Sequence, residues 1–80
     1  MTIQLLFFGI TTDLVGAPAV NFDIAEQTTI GALKKLLKQH YDGLNNIYDF
    51  AVALNEEYAH DDWVLTDGDT VAIIPPVSGG

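Results

Sequence analysis

Cysteine is absent from the sequence, which excludes disulfides, thiolate metal sites and a cysteine nucleophile. A domain this small must then be held by its core alone. Positive charge is nearly absent too: the only basic residues are Lys34, Lys35 and Lys38, all within one short stretch. Against eleven acidic residues they leave a formal charge of −8, which repels phosphate backbones and anionic lipid. No nucleic acid and no membrane is therefore expected as a partner, whereas a basic protein surface would be steered toward this chain. The same charge also serves simply to keep a small protein in solution. Long apolar runs are missing, since none approaches the ~20 residues of a membrane span. The N-terminus lacks a basic stretch followed by an apolar core and a small-residue cleavage site, so no export signal is read and a cytoplasmic setting is expected.

What is present points to one compact unit. Eighty residues are enough to bury about 60 % of the unfolded surface but not to build two cores. A content of 49 % hydrophobic and 18 % charged residues is too apolar for a disordered chain. Thr2 to Phe8 is a run of strand formers ended by Gly9. Gly16-Ala17-Pro18 connects it to a second strand over Ala19 to Ala25, in which Val20, Phe22 and Ile24 share one face. From Ile30 the period becomes helical, with Ile30, Leu33, Leu37 and Tyr41 in line, Leu36 widening the stripe and the lysines outside. Thr29 is the expected N-cap and Gly43 the expected stop. Phe50 to Leu54 gives a third strand, Trp63-Val64-Leu65 a short apolar piece, and Asp67-Gly68 a turn into a final strand over Thr70 to Ile74. These elements make an α+β fold in which one helix covers one face of a mixed sheet.

Alternation predicts an unpartnered surface. Ile3, Leu5 and Phe7 share one face of the first strand, and Leu6 and Phe8 share the other. Val71 and Ile73 oppose Ala72 and Ile74 in the same way. Only one face can meet the helix, so Leu6, Phe8, Ala72 and Ile74 form an apolar patch on the open face, and such patches mark interaction sites. A covering strand, or a register displaced by one residue, would remove the patch.

Groups for catalysis are sparse. His40 and His60 have no second ligand at metal-binding spacing, and Glu56-Glu57 with Asp61-Asp62 lacks the order of a calcium loop, so no metal site is read and a solvated turn is expected there. No phosphate loop, nucleophile elbow or Ser/His/Asp order occurs. The tail differs: Pro75 and Pro76 cannot continue a ladder and favour an extended path. The six residues 75–80 can reach up to ~20 Å, and Gly79-Gly80 removes the side chains that would keep the backbone out of a narrow slot. A frayed terminus is the plainer alternative.

The sequence resembles the MoaD-like sulfur carriers, the small subunits of molybdopterin synthase, over essentially its whole length. The likeness lies in Leu5-Leu6-Phe7-Phe8-Gly9, Leu14-Val15-Gly16, Thr29-Ile30-Gly31-Ala32-Leu33 and Val52-Ala53-Leu54-Asn55. Most specific is the stretch from Leu65 to Gly80, which joins a D-G-D turn, an apolar strand, Pro-Pro-Val and Gly-Gly. The resemblance implies a single ubiquitin-like β-grasp domain over 1–80, with first and last strands parallel at the sheet centre and 75–80 as a projecting tail. It implies that the chain is not catalytic alone and binds no cofactor. A ubiquitin-activating-like adenylyltransferase would use ATP on the Gly80 carboxylate, a sulfur donor protein would supply the sulfur of a thiocarboxylate, and the large synthase subunit, in a heterotetramer, would receive it for cyclic pyranopterin monophosphate. Phe8, Tyr58 and Ile74 correspond to apolar interface positions of the family, and Pro75, Pro76, Val77, Ser78 and Gly79 to the inserted tail. Thr11-Thr12-Asp13 lacks an arginine that many relatives carry. Trp63 is similar to a residue of the thiamine-pathway carriers, which are shorter and lack Pro-Pro. That pathway, a protein modifier joined through Gly80, and an interaction domain with an inert tail remain the alternatives.

Overall fold

The computed structural model describes residues 1–46 and 50–75. Strand β1 (Thr2–Phe7) is followed by a short helix α1 (Ile10–Val15), strand β2 (Ala19–Asp23) and the main helix α2 (Ile30–His40). A 3-10 turn (Asp42–Asn46) leads to β3 (Ala51–Leu54), β4 (Glu57–Tyr58) and β5 (Thr70–Ile74). The sheet has five strands in the order β2-β1-β5-β3-β4. The first and last strands, β1 and β5, are parallel neighbours at its centre, and the other pairs are antiparallel. This is the ubiquitin-like β-grasp arrangement, an α+β fold.

Period two decides what each strand buries. Ile3, Leu5 and Phe7 of β1, Val71 and Ile73 of β5 and Val52 of β3 meet Ile30, Leu33 and Leu37 of α2 in one apolar core closed by Leu44, Phe50 and Leu65. Thr29 caps α2, its hydroxyl accepting the Ala32 N–H at 3.2 Å. The residues Thr66 to Asp69 staple β1 to β5. Asp67 accepts the Thr2 N–H at 2.8 Å, Gly68 N–H reaches the Thr2 carbonyl, and Gly68 takes the positive φ of 85° that such a tight turn requires.

Several expectations are corrected. Leu36 is 39 % exposed, because one residue turns the helix by about 100° away from Leu37 and off the buried stripe. Gly43 does not stop α2. The helix ends at Tyr41, which turns to extended φ/ψ while its N–H still reaches the Leu37 carbonyl, and Gly43 lies in the following 3-10 turn. The second strand ends at Asp23 rather than Ala25, and the third begins at Ala51 rather than Phe50. Of Trp63-Val64-Leu65 only Val64 forms a bridge, to Thr29.

Two elements had no expectation. Helix α1 holds Ile10, Thr11, Thr12 and Val15, β-branched residues of low helix propensity, and depends on tertiary contacts and on Gly16 in the left-handed conformation at its C-cap. Asp61 and Asp62 lie in an exposed turn as expected, but Glu57 forms β4 with Tyr58, and the turn before it is the Asn55-Glu56 pair, with φ of 48° and 74°. Positive φ at both positions is the mirror-image turn that suits a two-residue hairpin.

Candidate functional site

Registers on the face opposite α2 bring the predicted patch together. Leu6 lies beside Ala72, Ala72 beside Ala53 and Ala53 beside Tyr58, a continuous row across four strands. One step further along β5, Ile74 pairs with Ala51, and Phe8 follows β1 on the same side. Phe8 is 49 % and Tyr58 72 % exposed, while Ile74 and Pro75 are half-buried. Phe8, Tyr58, Ile74 and Pro75 therefore share the end of the sheet where the chain leaves β5. Pro76, Val77, Ser78, Gly79 and Gly80 lie outside the described residues.

An open groove of about 390 Å³ adjoins this exit, lined by Lys34, Phe50, Ala51, Tyr58, Ala59 and Pro75 among others. At its rim Lys34 Nζ donates to Asp61 Oδ1 at 2.8 Å. That hydrogen bond, and then the lysine's charge, hold the Asp61 carboxyl below the usual aspartate range against slight desolvation, with His60 adding to the effect. Lys38 Nζ stands 5.7 Å from the centre of the Phe50 ring. Lys34 and Lys38 of α2 thus meet Asp61 and Phe50, which flank the β3-β4 hairpin in sequence, a grouping that sequence alone does not show.

Below the exit stands the start of α1, with Gly9 as its N-cap and Thr11 in its first turn. A Cβ on Gly9, whose φ is 55°, would stand 3.2 Å from Pro75 Cγ, so the cap of α1 touches the root of the tail. Thr11 is fully buried, with its hydroxyl on the Phe8 main chain. The threonine pair after Phe7-Phe8-Gly9-Ile10 was the available signal, because threonine hydroxyls bond nearby backbone groups.

At the other end of β5, Asp69 is nested in hydrogen bonds. Burial opposes its charge, but the Thr66 N–H at 2.8 Å, the Asn55 amide at 3.2 Å and the Thr66 hydroxyl at 3.0 Å outweigh it and lower its pKa. Asn55 Oδ1 in turn accepts the Thr70 N–H at 3.0 Å. The D-G-D motif is accounted for by this joint between the hairpin, β1 and β5.

His40 stands edge-on to Phe22 and Tyr41, and His60 lies against Trp63. Among the described residues no group of three His, Cys, Asp or Glu could hold a metal ion. None of their helices is long and apolar enough to cross a membrane.

Residues 5–80 match the ThiS family. The chain belongs to the ThiS family. A family relative, the molybdopterin synthase sulfur carrier subunit of Caenorhabditis elegans, is 34 % identical over 83 residues, with 100 % of this chain and 99 % of that protein covered. Small archaeal modifier protein 3 of Haloferax volcanii is 32 % identical over 92 residues, covering 100 % of both chains. Among solved structures, SAMP1 from Haloferax volcanii superposes with a TM-score of 0.85 at 25 % identity, covering 100 % of both chains. The protein-protein complex of subunits 1 and 2 of molybdopterin-converting factor from Helicobacter pylori contains a chain matching at a TM-score of 0.69 and 27 % identity, again with 100 % of both covered. The ThiS-family match begins at Leu5, within β1, and runs through the open-face row and β5 to Gly80, and so takes in every predicted site residue from Phe8 to Gly80.

Proposed function

We propose that this chain is a cytoplasmic sulfur carrier subunit of molybdopterin synthase whose working group is the Gly80 carboxylate. The carboxylate is a poor electrophile. An adenylyltransferase joins it to the α-phosphate of ATP with loss of pyrophosphate; sulfide released by a donor protein then attacks the acyl carbon, forming the carbon–sulfur bond as AMP leaves. The resulting thiocarboxylate is a soft nucleophile that is ionised at neutral pH. The large subunit docks on the open face through Phe8, Tyr58 and Ile74, takes in residues 75–80 and passes the sulfur to cyclic pyranopterin monophosphate. Alone the chain catalyses nothing, and it binds no cofactor.

The observation that carries this reading is the juxtaposition at one end of the sheet. Exposed Phe8 and Tyr58 flank half-buried Ile74 and Pro75, at the point from which the Gly-Gly segment starts. A docked partner thereby receives the tail at a fixed origin. The net charge of −8 favours a partner whose pocket is basic because it holds an anionic substrate. The sulfur carrier subunit of Caenorhabditis elegans and the two-subunit complex of Helicobacter pylori support the same reading. The likeness to small archaeal modifier protein 3 favours a second reading, transfer of the activated Gly80 acyl group to a lysine of another protein.

The test is to add one residue after Gly80, or to delete Gly80, and to assay molybdopterin formation with the activating enzyme and large subunit. Both variants keep the circular dichroism of the parent and deliver no sulfur. Product formed by the extended chain without removal of the extra residue contradicts the reading.

A further inference from the structure

Phe8 lies beyond the last ladder pair, Phe7 with Ile73, so its backbone has no strand partner to fix it. Both of its main-chain polar groups are instead bonded to Thr11, the N–H to its hydroxyl and the carbonyl to that hydroxyl and to the Thr11 N–H at 3.1 Å. Phe8 N–H donates to Thr11 Oγ1 at 3.0 Å, and Thr11 Oγ1 donates to the Phe8 carbonyl at 2.5 Å. The same oxygen lies 3.5 Å from the carbonyl of Ile73 in β5. Thr11 itself is 0 % exposed, where a hydroxyl is retained only if it is bonded. The adjoining Thr12 hydroxyl donates to the Phe7 carbonyl at 2.9 Å, and Gly9 sits against Pro75. One buried side chain thus holds the backbone of the half-exposed Phe8 to the first turn of α1, beside the end of the strand from which the tail departs.

We propose that Thr11 is a positioning residue for docking and delivery: its hydroxyl fixes the Phe8 backbone on the first turn of α1, whose Gly9 cap packs against Pro75, so that the docking ring and the root of the tail are presented in one rigid geometry. The inference rests on the reading that Phe8 docks against the large subunit. Without the hydroxyl, Phe8 and the Gly9 cap of α1 must be ordered when the partner binds. Ordering one side chain at an interface weakens affinity by about three- to tenfold. Thr11→Val keeps the shape and removes the bonds, whereas Thr11→Ser keeps the bonds.

The experiment is a titration of the large subunit with wild type, Thr11→Val, Thr11→Ser, Phe8→Ala and the Phe8→Ala/Thr11→Val pair, at a temperature where all are folded by circular dichroism. Thr11→Val is expected to bind about three- to tenfold more weakly, Thr11→Ser like wild type, and the double variant like Phe8→Ala alone, since coupled residues are not additive. Equal weakening by Thr11→Val in both backgrounds, or none in either, overturns the inference while leaving the open-face reading intact. Undiminished binding by Phe8→Ala overturns both. Amide exchange at Phe8 in the wild-type chain gives a check that needs no variant: protection is expected, and exchange at the rate of an open loop contradicts the assignment.

Discussion

Phe7 and Phe8 are adjacent phenylalanines with opposite surroundings, and the same substitution at each gives opposite outcomes. Phe7 is 3 % exposed among the core side chains of β5 and stands edge-on to Tyr41. Truncating such a residue costs about 3–5 kcal/mol, and a buried, unpaired carboxylate adds several more. An 80-residue domain has roughly 4–12 kcal/mol in total, so Phe7→Asp is expected to unfold the free protein. Phe8 already buries about half of its surface in the free chain. Only the remaining half is available to a partner, about 0.7–1.5 kcal/mol out of the 1.5–3 of a fully buried side chain. Placing an unpaired charge in the contact adds about 1–3 kcal/mol, so Phe8→Asp should weaken binding of the large subunit by roughly twenty-fold or more while remaining folded. Thermal melts of both variants, with a binding titration of Phe8→Asp, check this. Unfolding by Phe8→Asp together with a stable Phe7→Asp would refute the face assignment, and unchanged affinity of a folded Phe8→Asp would refute the docking surface.

Three further outcomes are expected. Glu56→Gly relieves a left-handed residue at φ 74°. The penalty of about 1–2 kcal/mol is partly offset by about 0.5–1 of added glycine entropy, so the melting temperature should rise by several degrees, and a fall would mean that Glu56 is not strained. Asp69 has a folded pKa below the ordinary 3.8, so its bonds stabilise the fold fully above that value and are lost as pH falls through the lowered folded value. Asp69→Asn should then be less stable at pH 7 and lose less on acidification in urea titrations, and an unchanged pH profile would contradict the role of the carboxylate. Gly79→Val should keep the fold and block thiocarboxylate formation or transfer, because a Cβ beside the reacting carbonyl needs room that a slot for extended glycines lacks; rates equal to wild type would exclude a narrow channel.

Strand faces were legible because period two and a helix on one side leave a single assignment for Ile3, Leu5 and Phe7, and the D-G-D turn announced β5. The two elements without expectation failed for physical reasons. Helix α1 forms from Ile10 to Val15 against local propensity because the Thr11 and Thr12 hydroxyls bond back to Phe8 and Phe7, contacts that no periodicity encodes. Strand β4 starts at Glu57 because Asn55 and Glu56 accept positive φ where an Asn-Gly pair would have signalled a hairpin. Leu36 shows the limit of a widened stripe, since apolar character alone does not fix which side of Leu37 is covered. Phe8 and Ile74 followed from alternation together with resemblance. Tyr58 came from resemblance alone, as β4 had not been read. The groove joining Lys34, Phe50 and Pro75 assembles residues from α2, the start of β3 and the end of β5, a proximity set by the fold rather than by spacing.

Sulfur delivery by this chain turns on what happens to the Gly80 carboxyl group. Incubation of the intact chain with its adenylyltransferase, ATP and a sulfur donor, followed by mass spectrometry of the whole protein, reads that group directly. A sulfur-for-oxygen mass increase on the C-terminal peptide, lost again after addition of the large subunit and cyclic pyranopterin monophosphate, is the predicted result. An unchanged mass under conditions that consume ATP, or covalent adducts of the chain on protein lysines in place of the thiocarboxylate, would contradict it.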